Sequence, residues 1–140
     1  MSAYRRKHYV SGIFYSSNKE QLVDELKGCF TNKIFGPGRL PPSDQVRKIY
    51  GMVSPHAGYL YSGSVAANGY YSVSSSKFNN VILVGPNHYG LGSSVATTMN
   101  GIWESPIGDV MVNPQVAKDI ASRATSMDFD EFAHSRDHCL

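Results

Sequence analysis

Val81-Ile82-Leu83-Val84-Gly85-Pro86-Asn87-His88 is the stretch on which the reading of this chain turns. Four consecutive apolar residues without polar alternation are what a strand covered on both faces carries. Gly85-Pro86 closes the run, because neither residue continues a ladder. The same grammar occurs upstream. Ile49-Tyr50-Gly51-Met52-Val53 is stopped by Ser54-Pro55, and His56 follows. Between the two runs, Ser62 to about Tyr71 carries Val65, Ala66, Ala67 and Tyr70, the pattern of a helix. Strand, helix and strand in this order form the βαβ unit of a parallel sheet. The expectation is an α/β fold, a mostly parallel sheet flanked by helices.

Outward from this unit, Asn18 to Phe30 predicts a helix. Ser17 and Glu20 have capping-box spacing, and Leu22, Leu26 and Phe30 recur every four residues. Gly36-Pro37-Gly38 and Pro41-Pro42 mark a loop. Downstream, Ser94–Met99 and Asp109–Val112 read as two further strands around the turn-rich segment Trp103–Gly108. Asn113-Pro114 then opens a helix, with Asn as cap and Pro in the first turn. Residues 1–140 read as one domain, with no internal repeat.

His56 and His88 each stand a few residues beyond an apolar run. If those runs are neighbouring parallel strands, both imidazoles emerge at the carboxyl edge of the sheet, where open α/β sheets place ligands. Imidazole is the commonest metal-ligand side chain and titrates nearest neutral pH. Two of them in one cleft indicate a metal site or an acid–base pair. A third cluster, His134-Ser135-Arg136-Asp137-His138-Cys139, closes the chain. His134 and His138 would share a face if helical, and Asp137 could orient an imidazole. On spacing alone a frayed terminus is the simpler account of this cluster. Tyr59, Tyr61 and Trp103 read as packing residues. Nothing but His138 stands near Cys139 to activate its thiol.

Of the 140 residues, 41% are hydrophobic and 17% charged, with a formal net charge of +2. That is enough apolar material for a core and too little charge to imply an electrostatic partner. Arg5-Arg6-Lys7-His8 is the only dense basic run and reads as a solvated arm, so no nucleic-acid partner is expected. No apolar stretch is long enough for a membrane helix, and no signal peptide is expected. Two distant cysteines, Cys29 and Cys139, fit a reducing, cytoplasmic setting.

Five motifs occur in a fixed order: Pro55–Tyr59, Tyr61-Ser62-Gly63, Gly85–His88, Trp103–Val110 and His134–His138. With the opening Val10–Tyr15, they resemble the Memo family over nearly the whole chain. The resemblance implies the fold of the class III non-haem iron extradiol dioxygenases, with a histidine-lined cleft. It implies His56 and His88 as metal ligands, iron or copper as the metal, and His138 with His134 as acid–base residues. A metal-dependent, dioxygenase-like redox protein of unknown substrate is the function expected. The alternative is a non-catalytic module for a phosphorylated peptide or small anion, received near Ser62-Gly63.

The sequence departs from the family pattern in three places. Tyr89 stands where a second histidine is common, and Asp137 replaces the usual Glu. The sequence also stops where the family domain would continue, and the third metal ligand would come from that continuation. A half-sheet would expose an edge, so a homo-oligomer or a loosely ordered C-terminus is expected.

Overall fold

In the computed structural model, residues 4–42 and 48–138 are described. Among these residues the fold is mixed α/β, with three α-helices and small sheets, and the chain divides into two compact units. The first unit is Val10–Val81. The second is Met1–Tyr9 together with Ile82–Leu140. No helix among the described residues is long and apolar enough to cross a membrane.

Helix α1, Lys19–Thr31, dominates the first unit. Its cap is Asn18, one residue later than the Ser17 capping box predicts: the Asn18 carboxamide oxygen accepts from the Gln21 N–H at 2.9 Å. Ser16 Oγ in turn accepts from the Asn18 N–H. Asn32 ends the helix, its side-chain oxygen taking the N–H groups of Ile34 and Phe35, each at 2.9 Å. That arrangement turns the chain away from the helix axis before Gly36. Leu22, on the apolar stripe, is only 2% exposed. Burying a leucine this fully contributes about 1.5–3 kcal/mol.

The second helix has an unexpected beginning. Tyr59–Gly63 forms one π-helical turn, and α2 proper runs Ser64–Val73. α2 packs against α1, with Ala67 buried. At the entrance, Gly58 lies where an added Cβ would sit 3.2 Å from the Phe14 carbonyl oxygen. The adjoining Tyr59 N–H donates to that same oxygen at 2.8 Å. A side chain at this position would require the neighbouring backbone to give by a few tenths of an ångström. The Pro55–Tyr59 motif is thereby tied to the Val10–Tyr15 motif.

In the second unit, β1 (Arg5–Arg6) pairs parallel with β3 (Ile102–Trp103), which pairs antiparallel with β4 (Val110–Met111). β2 (Ala96–Thr97) pairs parallel with β5 (Asp128–Phe129). Helix α3, Pro114–Arg123, begins as expected, with the Asn113 side chain accepting from the N–H groups of Gln115 and Val116. β2 and β4 lie inside the predicted strands. Trp103 is strand rather than turn, because β1 supplies the neighbour it pairs with.

The larger correction concerns the two apolar runs. Neither Ile49–Val53 nor Val81–Val84 forms a strand in the described residues, and Tyr50, Met52, Val53 and all of Val81–Val84 are exposed. The expected strand–helix–strand unit is therefore not formed from these segments. A run of β-branched residues reports affinity for a covered ladder, but a strand exists only where another segment exchanges hydrogen bonds with it. The short pairings that do form use residues with little apolar signal, such as Arg5, Arg6 and Asp128.

Candidate functional site

The C-terminal turn of the second unit gathers two of the predicted histidines. After β5, Asp130 fastens two loops together: one carboxylate oxygen accepts the Ser93 N–H at 2.8 Å and the other the Phe132 N–H at 2.9 Å. These hydrogen bonds, the Ser93 backbone first, hold its pKa below the ordinary aspartate value. A 3₁₀ turn follows at Phe132–His134. The helix that would put His134 and His138 on one face does not form, because the chain leaves the turn at Ser135.

What forms instead is a carboxylate–histidine pair. Asp137 is 4% exposed, and its carboxylate accepts the His88 backbone N–H at 2.9 Å. Its other oxygen lies 3.2 Å from His88 Nδ1. An ionised carboxylate can only accept, so the contact requires the proton on Nδ1 and leaves the lone pair on Nε2. Carboxylate support of this kind sets the tautomer and ring angle of metal-binding histidines. The His88 side chain keeps 29% of its surface open. His138 stacks on it, ring centroids 4.0 Å apart and planes 30° from parallel. Tyr89, at the position where the family pattern often has histidine, stands edge-on to His138 at 6.5 Å.

His134 is placed differently. Its ring packs against Trp103 at 5.6 Å, and its Nε2 is buried with no hydrogen-bond partner among the described residues. Burial, followed by the nearby Arg6 charge, pushes its pKa below the usual histidine value. Protonating Nε2 would create a buried donor without an acceptor, so the neutral ring is favoured.

His56 belongs to the first unit, exposed in the segment before the π-helical turn. In the same segment the proposed anion-binding N–H groups are already engaged. Tyr61 and Ser62 both donate their backbone N–H to the Gly58 carbonyl, and the Ser62 hydroxyl donates to Ala57. A π-turn feeding directly into α2 leaves no free helix start at Ser62-Gly63, which corrects the expected anion site. Cys29, half-buried on α1, has its thiol pKa raised by burial. Cys139 lies outside the described residues.

Arg6 is the residue that sequence reasoning missed. In a two-residue strand the side chains alternate, so Arg5 faces out and Arg6 faces in. Arg5 Nε donates to Glu104 at 2.6 Å and its Nη2 to Asp109 at 2.7 Å, while Lys7 also reaches Glu104. Arg6, 6% exposed, stacks 4.4 Å from the Trp103 ring and donates to two carbonyls of the C-terminal turn. The expected solvated arm is therefore an integral strand. The basic run itself offered no signal that one of its members is buried.

The family described as Memo-like protein matches residues 6–140 of this chain. The chain belongs to the Memo-like family. Among its relatives, a MEMO1 family protein of Nitrosopumilus maritimus is 45% identical over 135 residues, covering 96% of this chain and 48% of that protein. One from Thermotoga petrophila is 43% identical over 141 residues, covering 97% and 50%. Another, from Methanocaldococcus jannaschii, is 38% identical over 135 residues, covering 94% and 46%. The Memo-like chain thus spans about half the length of the curated relatives it matches. The five ordered motifs and the family assignment agree.

Proposed function

We propose that this Memo-like chain binds a redox-capable metal, iron or copper, through His56 and His88, and that it is a dioxygenase-like redox protein. The single observation that carries the reading is the buried Asp137 carboxylate set against His88 Nδ1. Such a contact sets the tautomer in which Nε2 is the ligand atom, on a ring whose side chain keeps 29% of its surface open. The donor chemistry fits, because imidazole nitrogen suits both iron and copper. When bound, the metal would supply redox chemistry and open coordination positions for a substrate and O₂.

The residues divide the remaining work. Asp137 orients His88. His138, stacked on His88, would move a proton beside it. His134, packed on Trp103 and kept neutral, has a supporting place in this acid–base set. The class III extradiol dioxygenase fold and its mostly parallel sheet belong to this proposal as well, on the strength of the motif order.

Metal uptake tests the reading. Purified protein would be equilibrated anaerobically with Fe(II), or separately with copper, desalted, and analysed for bound metal. The expected result is stoichiometric uptake that falls at least about tenfold in both His56→Ala and His88→Ala, a loss on the scale of disrupted metal shells. Retention by wild type no greater than by His88→Ala would sink it.

A further inference from the structure

We propose that Arg6 is the positioning residue of the His88 site, acting through the main chain of Asp137. The inference starts from a charge that has left water. A guanidinium at 6% exposure must be met by oriented dipoles or π faces, because its desolvation costs several kcal/mol. Arg6 is met on both counts. Its Nε donates to the His134 carbonyl at 2.8 Å, its Nη2 donates to the Asp137 carbonyl, and its Cζ lies over the Trp103 ring, 4.4 Å from the centroid. All three partners belong to the second unit.

Asp137 is consequently held at both ends. Its carbonyl oxygen is tied to Arg6, and its carboxylate is tied to the His88 N–H and to Nδ1. Rotation or retreat of the Asp137 peptide would carry the carboxylate away from His88. The Arg6 contact to the Asp137 carbonyl thus reaches the imidazole through one residue. Strand β1 is itself anchored by its backbone pairing with β3, which carries Trp103. Arginine suits this task better than lysine. Its planar fork can donate to two carbonyls at once while stacking on an indole, whereas an ammonium is a single compact donor group.

The effect on His88 geometry needs no metal, and the effect on metal uptake rests on the function proposed above. The test separates them. In the full chain labelled with ¹⁵N-histidine, the imidazole resonances of His88 report which ring nitrogen carries the proton. Wild type is expected to show the Nδ1–H form. Arg6→Gln is expected to lose that preference, averaging the two tautomers, and Arg6→Lys to lie between. Iron or copper affinity should fall 10- to 100-fold in Arg6→Gln, with partial recovery in Arg6→Lys. Arg5→Gln, which removes an exposed neighbour on the same strand, should leave both readouts as in wild type.

An unaltered His88 spectrum in folded Arg6→Gln overturns the assignment. Should that variant fail to fold, an unaltered spectrum in Arg6→Lys does so. A lost tautomer preference in a protein whose wild type takes up no iron or copper keeps Arg6 in this role and removes the metal reading. Undiminished metal uptake with an unchanged spectrum does the reverse.

Discussion

Replacing Asp137 by alanine removes a buried acceptor from two donors at once, and the cost can be worked from their geometry. The His88 backbone N–H, 2.9 Å from the carboxylate, loses a charge-assisted hydrogen bond worth about 1.5–3 kcal/mol. The Nδ1 contact is longer, 3.2 Å, and the His88 side chain is 29% open, so water recovers much of it. A further contribution of roughly 0.5–1 kcal/mol is appropriate there. Asp137→Ala should therefore destabilise the second unit by about 2–4 kcal/mol. Asp137→Asn keeps an oxygen for the backbone N–H and should cost only about 1–2 kcal/mol.

If the new amide turns its NH₂ toward Nδ1, it also forces the His88 proton onto Nε2. The sole tryptophan, Trp103, lies in the second unit, so its fluorescence in urea follows the unfolding of that unit. With a urea dependence of about 1–3 kcal/mol per molar, the alanine midpoint should fall by roughly 1–2 M. A loss below about 0.5 kcal/mol in Asp137→Ala, the range of an ordinary surface substitution, would refute the reasoning.

Two further outcomes follow from the same structure. His134 has a folded-state pKa below the ordinary 6.5, so below pH 6.5 the unfolded chain binds the proton first. Its contribution is fully present above pH 6.5 and is lost as pH falls toward the folded value. His134→Gln should flatten that part of the profile by far-UV circular dichroism, and a variant as acid-sensitive as wild type there would contradict it. The lowered carboxylates of Asp130 and Glu104 act separately, below about pH 4.5. Asn113→Ala should lower stability by about 1 kcal/mol, since its oxygen caps α3 on the N–H groups of Gln115 and Val116 at 3.1 and 3.3 Å. Thermal unfolding checks this, and a melting point equal to wild type counts against the cap.

Much of the local structure was legible because its causes are local. Asn113 bonds two and three residues ahead, and α1 shows its apolar stripe every four residues. Even the misplaced cap of α1 erred by one residue, where Ser16, Ser17 and Asn18 all offer side-chain acceptors. The order of five short motifs sufficed for the family, since each is written in consecutive residues. Asp137 as an orienting group for an imidazole was also readable, although the imidazole proved to be His88 and not a neighbour in the turn.

The remainder depended on which distant segments meet. Apolar runs at Ile49–Val53 and Val81–Val84 announce a wish for burial, and no composition rule names the strand that must grant it. Arg6 looks like any other basic residue until Trp103 and two carbonyls nearly the length of the chain away enclose it. Histidine identity came from the linear code, whereas the tautomer and stacking partner of His88 were settled by contacts 49 residues or more apart. Hydrogen bonding and desolvation act through space, and their partners are chosen only once the chain has folded.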